Sequence, residues 1–431
     1  MQFFQDLGSL VERRWRYENY NERVFPEIAA QALTEMKAVE KVDPWDIINY
    51  LHTSTELPPQ RKEKFSDLPV TVFIAPRFYV DVYYWLDGTT SVHQHAFAGA
   101  FQVFMGSSIH SRYSFEEAHE VNSHLATGKL RMQEIDLLET GEIRKIFPGR
   151  EFIHALFHLD RPSATITVRT NQSPSALPQY DYLNPHIAID PFFKEQTSFK
   201  QIQSISLLLR MRHPKIDSIV GELMSSADFH TAFSILSMVF KYLTDKTQER
   251  VFGVTDGRER FENLIKIAHK RHGSLADTLL PVFDEIKRKG GIVEQRKYLT
   301  SNDHRFFLAL LLNVSDRQAI LDLVQRRFPQ QGAIEKVCEW AKDLSALKIP
   351  GSNEPNILGV DGFDDSHVFI LKQLLKGFSA AQIKEAASQQ QPAPGEISDG
   401  DIEKKCKSLQ SSNLLTSIFR ESAETVDVLG S

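Results

Sequence analysis

The chain reads as an α+β protein in which a small β-barrel follows a few helices and precedes a large all-α region. Three observations predict this. Between about Val70 and Thr170 apolar and aromatic residues recur with a period near two. On both sides of that stretch they recur at helical spacing, and inside it Gly, Pro, Asp and Ser mark turns between short runs. A length of 431 residues exceeds what one hydrophobic core organises. The expected division is N-terminal helices packing on the barrel at 1–55, the barrel at 65–190, a helical domain at 195–388, and a flexible linker with a short terminal helix at 389–431.

At the N-terminus Phe3, Phe4, Leu7, Leu10 and Val11 share one helical face, and Ile28, Ala29, Ala32, Leu33 and Met36 share another after Pro26. A polar stretch from Thr53 to Asp67, with Pro58 and Pro59, breaks the pattern. The runs TVFIAPRFYVDVYYWL, HQHAFAGAFQVFM, IHSRYSF, LRMQEIDLL, EIRKIF, EFIHALFHL and SATITVRT then follow as strands. Asp87-Gly88, Gly106-Ser107, Thr140-Gly141 and Pro148-Gly149 supply turns. Seven short strands in about a hundred residues imply a sandwich or barrel. A proline-bearing connector, Ser173 to Pro191, returns the chain to helical spacing. Within the helices, HRFFLALLLNVSDRQAI from His304 resembles HVFILKQLLKGFSAAQI from His367, so α-solenoid-like stacking is one arrangement for them.

Composition narrows the function. With 42% hydrophobic and 25% charged residues the chain matches an ordinary soluble globular protein, and a net charge of −6 argues against a constitutive nucleic-acid binder. The two cysteines, Cys338 and Cys406, make neither a disulfide framework nor a metal knuckle, which suits a reducing cytoplasm. The opening residues lack the basic, apolar and small-residue order of a signal peptide, and no uncharged run reaches bilayer length; neither secretion nor membrane association is expected.

Chemistry concentrates in the central stretch. Alternate residues of a strand share a face, so His93 and His95 would project together and could bind one ion. A later hairpin, Gly141 to His154, brings a third imidazole after the Pro148-Gly149 turn. Three imidazoles suit iron, copper, zinc or nickel better than magnesium or calcium, which prefer oxygen ligands. Read from the residues alone the ion stays open among Fe2+, Zn2+, Mn2+, Ni2+ and Cu2+.

These residues resemble the motifs of the cupin superfamily. Its first motif runs from a glycine through His-x-His to a glutamate and a glycine, and its second is Gly…Pro-x-Gly…His. The run Trp85…Gly88…Ser91-Val92-His93-Gln94-His95 is most similar to the thiol dioxygenases, the group of cysteine dioxygenase. The likeness covers about a quarter of the chain. It implies a jelly-roll barrel, ferrous iron on His93, His95 and His154, and open positions where a thiolate and dioxygen bind side by side. The place of the family's glutamate falls at Gly99 or Ala100, and Gln102 replaces it only with a shifted turn. On the last strand the family's Ser, His and Tyr relay becomes Thr165, Thr167 and Arg169, so the relay tyrosine is absent.

If Ile166 and Val168 pack outward, Thr165, Thr167 and Arg169 face the metal cavity as candidate catalytic residues. A guanidinium buried there needs an anion, and a substrate carboxylate or phosphate is one partner. Asp81, Glu151 or simple exposure are the alternatives, and Arg77 is a weaker candidate for the same task. His158 shares a face with His154 as an outer partner or alternate ligand, whereas His110, His119, His124 and His186 suit loops or strand ends. Tyr79, Tyr83, Tyr84, Trp85, Phe97, Phe101 and Phe104 line a pocket or fill the core. The helices carry no phosphate loop, zinc-protease motif or glycine-flanked nucleophile, and His304 and His367 suit caps or packing. Three functions fit: an iron oxygenase acting with O2 on a small or peptide-borne anionic substrate, a metal- or ligand-binding sensor with a protein partner on its helices, or a zinc or manganese isomerase or hydrolase.

Overall fold

A computed structural model of the chain describes residues 1–62, 65–86, 88, 90–244, 256–349, 354–389 and 399–419. Asp87 of one expected turn, and nearly all of the expected linker after Gln389, lie outside the described residues.

Eleven strands are described: β1 (Leu68–Ile74), β2 (Phe78–Trp85), β3 (Val92–His95), β4 (Gly99–Met105), β5 (Ser108–Asn122), β6 (Leu125–Leu138), β7 (Ile143–Ile146), β8 (Gly149–His158), β9 (Ser163–Thr170), β10 (Asp181–Leu183) and β11 (Ile187–Ile189). One sheet has the order β1-β2-β9-β4-β7, and the other closes as β10-β11-β6-β5-β8-β3. Numbered from β2 to β9, eight strands divide between the sheets, first-eighth-third-sixth in one and second-seventh-fourth-fifth in the other. That order is a double Greek key, the cupin-type jelly roll. Strand β1 adds an edge to the first sheet. The proline-bearing connector, expected to be irregular, supplies β10 and β11, which pair with β3 and β6 and close the second sheet.

Period two decides what each strand buries. On β2, β9, β4 and the residues leading into β4, one set of side chains (Val80, Val82, Tyr84, Ala98, Ala100, Phe104, Ile166, Val168) packs with Phe4, Leu7, Val11, Phe25 and Leu33 of helices α1 (Gln2–Tyr17) and α2 (Phe25–Met36). The helices approach closely because Gly8 has no side chain; a Cβ there would lie 2.4 Å from the Phe73 ring. The alternate set, Phe97, Phe101 and Val103, meets Phe152 and Leu156 of β8 between the sheets. Tyr84 and Phe104 therefore face the helices, while Phe97 and Phe101 face inward.

The chain forms two compact units, one of Met1–Glu134 and Leu138–Lys287, the other of Arg288–Ser431 with Ile135–Leu137. In the first, helices α3 (Gln196–Arg210), α4 (Ile216–Ser226) and α5 (Phe229–Leu243) share a core with Leu125 and Ile187 of the barrel hairpins. In the second, His367 completes a capping box with Asp364 at the start of helix Asp365–Leu375, and His304 bonds Asp343. Cys338 is buried, and that burial pushes its thiol up to about 12, so it stays protonated. Among the described residues no helix is long and apolar enough to cross a membrane.

Candidate metal centre

Strand β3 lies antiparallel to β8 with His93 opposite His154. The pair then slips: His95 meets Gly149, so β8 spends five residues where β3 spends two. The left-handed backbone of Gly149 (φ +70°) takes up the turn at this point. Three buried imidazoles result, with ring centroids 4.5 Å apart for His93 and His95, 4.8 Å for His93 and His154, and 4.9 Å for His95 and His154. Their ligand atoms all lie within 4.8 Å of one another, and among the described residues this is the one His, Cys, Asp or Glu group so arranged.

The donor set fits a transition-metal ion. His95 Nε2 and His154 Nε2 are 2.8 Å apart. Two nitrogens about 2.1 Å from one ion at a right angle are separated by roughly 3 Å. His93 Nδ1 lies 2.7 Å from the Ser91 carbonyl, so the ring donates from Nδ1 and its Nε2, buried and otherwise without a partner, presents a lone pair. Burial lowers the pKa of His93; for His95 and His154 burial, reinforced by neighbouring imidazoles, lowers it well below the ordinary value, so all three rings stay neutral. Neutral imidazole is the ligating form.

Among the described residues no carboxylate joins them, and the reason lies on β4. Gly99 faces Arg169 across the β4–β9 ladder, and a Cβ there would sit 2.3 Å from the Val168 carbonyl oxygen and 3.0 Å from the Arg169 Cα. The position holds no side chain at all. Ala100 packs toward the helices, and Gln102, opposite Ile166 on that same outer face, donates to the Gly141 carbonyl. Gly99→Ala is expected to destabilise the fold by about 1–3 kcal/mol, the usual range for overpacking, read as a lowered thermal midpoint. An unchanged midpoint would mean that the ladder yields.

Thr165, Thr167 and Arg169 stand opposite Tyr83, Asp81 and Tyr79 respectively, on the face between the sheets. Neither threonine hydrogen-bonds an imidazole. Arg169 reaches toward the metal centre: its guanidinium carbon is 3.3 Å from the Phe97 ring centroid, and Phe97 in turn lies 4.3 Å from the His95 ring. The residue is partly buried beside Tyr83 and Asp81, its Nε is enclosed without a hydrogen-bond partner, and among the described residues it is within ion-pair distance of no carboxylate. Asp81 instead accepts from Thr71 Oγ1 at 2.8 Å and Tyr83 OH at 2.7 Å. Burial raises the Asp81 pKa, against those hydrogen bonds and the nearby Arg169 and Arg61. Burial likewise lowers that of Arg169. Tyr79 OH, also buried, has no partner. Arg77 stacks on Tyr20, outside this region.

Two other histidines depart from expectation. His110, expected at a loop or strand end, is buried on β5 with Nε2 3.1 Å from His154 Nδ1. Burial, then Arg144 and Arg112, push its pKa down to about 3. His158 shares the inner face of β8 but stacks on Trp85 at 4.4 Å and meets Ser108 Oγ through Nδ1, apart from the three-ring group. Of the remaining three, His119 is exposed on β5, His124 pairs with Asp190 and His186 with the Gly128 carbonyl.

Neither a protein-family model nor a curated protein matches the sequence. Among solved structures the chain is similar to the capsular polysaccharide assembling protein CapF from Staphylococcus aureus, at 15% identity and a TM-score of 0.22, over 36% of this chain and 44% of that one. A double-stranded β-helix protein from Klebsiella pneumoniae matches at 14% identity and a TM-score of 0.19, covering 32% of this chain and 93% of that one. Hydroquinone 1,2-dioxygenase from a Sphingomonas species matches at 13% identity and a TM-score of 0.19, covering 31% and 80%. The chain thus spans less than half the length of CapF. The fold assignment rests on the strand order described above.

Proposed function

We propose that this protein is a mononuclear non-haem iron oxygenase of the thiol-dioxygenase-like cupin type, acting with O2 on a small or peptide-borne anionic substrate. The observation that carries the reading is a group of three buried, neutral imidazoles, among the described residues free of any carboxylate, beside the partly buried guanidinium of Arg169, whose Nε is enclosed without a hydrogen-bond partner. Ferrous iron on such a set supplies Lewis acidity and open positions for substrate and O2. His93, His95 and His154 would hold the ion. Arg169, partly buried, binds the substrate anion through its guanidinium. Tyr79 OH offers a further donor, Thr165 and Thr167 offer hydroxyls along the same face, and Phe97, Phe101 and Phe152 exclude water.

The test is anaerobic loading with ferrous iron, metal analysis, then oxygen uptake with thiol carboxylates and cysteine-bearing peptides. One iron per chain and substrate-dependent uptake are expected. Stoichiometric iron with no uptake on any of them would overturn the oxygenase reading and leave a binding role for the site.

A further inference from the structure

The three imidazoles are not held alike. His93 is fixed from outside by the Ser91 carbonyl, 2.7 Å from its Nδ1. His95 has no partner at Nδ1. His154 is met at Nδ1 by another side chain, Nε2 of His110, at 3.1 Å. The His110 ring is only 1% exposed and has little room to turn. Its centroid lies 5.8 Å from that of Phe101 and 5.9 Å from that of Phe152, one ring from each sheet. It stands opposite Leu156 on the β5–β8 ladder, two residues along β8 from His154, so the two rings emerge on the same face.

We infer that His110 is a positioning residue of the centre: it accepts the Nδ1 proton of His154 and so holds that imidazole with its Nε2 lone pair toward the ion. The inference rests on the metal reading above and adds a residue to it. An imidazole carries one proton when neutral, so the nitrogen that donates outward decides which nitrogen ligates. A backbone carbonyl does this for His93. His154 sits where its outward neighbour is β5, whose carbonyls are engaged in the ladder, and a side-chain acceptor takes the place. Outer partners of this kind raise ligand basicity and lock ring orientation, and their loss costs about 10–100-fold in metal affinity. His110 touches neither substrate nor ion, so its effect appears in metal binding and ligand-field geometry.

The experiment uses the full chain with Co2+ as probe, comparing wild type, His110→Phe and His110→Gln. Glutamine Oε1 can accept the same proton from nearly the same place, whereas phenylalanine fills the space without accepting. Thermal unfolding of the metal-free proteins establishes that each variant is folded. Competition with a chelator gives the affinity, and the visible d–d spectrum reports the geometry. His110→Phe is expected to bind Co2+ about 10–100-fold more weakly with an altered spectrum, and His110→Gln to recover most of both. Wild-type affinity and spectrum in folded His110→Phe overturn the inference. So does a folded His110→Gln as weak as the phenylalanine variant. Failure of the wild type itself to bind Co2+ overturns the metal reading, a separate result.

Discussion

His95→Ala abolishes stoichiometric metal binding. The substitution removes one of three ligands, so the expected loss exceeds the roughly 10–100-fold that follows from losing an outer partner. Stability offers a second reading of the same change. An ion that binds only the folded chain stabilises it by about 2.7 kcal/mol when present at a hundred times its dissociation constant. Wild-type protein should therefore unfold at a higher temperature in the presence of ferrous iron or cobalt, and His95→Ala should not. His95 is the informative choice because its Nδ1 has no hydrogen bond to lose. The deletion therefore breaks no side-chain bond to an outer partner. Equal metal-dependent stabilisation in both proteins would show that the ion binds elsewhere.

Arg169→Met separates substrate binding from metal binding. Methionine keeps much of the aliphatic volume against Phe97 and removes the charge. Truncating one side of a buried, hydrogen-bonded charge pair costs about 2 kcal/mol or more, so KM for an anionic substrate is expected to rise at least about thirtyfold while metal content stays at the wild-type level. The metal-free variant carries its own discriminating sign. Were Arg169 one half of a structural ion pair with Asp81, its removal would destabilise the fold by about 3–5 kcal/mol, because a buried carboxylate would be left uncompensated. Asp81 already has Thr71 and Tyr83 as partners, and among the described residues Arg169 is within ion-pair distance of no carboxylate. The account therefore predicts a thermal midpoint unchanged or raised. A steep fall in stability, or an unaltered KM, would contradict the anion-binding role.

Much of this architecture is legible in the sequence because strands repeat every two residues. SATITVRT alternates cleanly, and it is β9, with Ile166 and Val168 turned to the helices and Arg169 turned inward. The same alternation, read across β2, separates Tyr83 from Tyr84. Other features were hidden. Strands β10 and β11 are three residues each and lie among prolines, too short to show a period. The slip between β3 and β8 leaves no mark on the His93-x-His95 spacing, since five residues of β8 absorb it. His110 carries a local signal, alternation through Ser108, His110 and Arg112, that places it on one face of a strand. Its contact with His154 depends on register between β5 and β8, set by pairing across more than forty residues, and no local pattern encodes that. Gly99 is the converse case. Its sequence position shows only that a carboxylate is missing, while the backbone packing against Val168 and Arg169 shows that no side chain fits.

An anomalous-difference map from crystals loaded anaerobically with ferrous iron, collected on both sides of the iron absorption edge, tests the central claim most directly. The account predicts a single iron peak about 2.1 Å from the Nε2 atoms of His93, His95 and His154, with no carboxylate oxygen in contact. A peak whose neighbours exclude His154, or the lack of any peak between the sheets in iron-loaded protein, would contradict it.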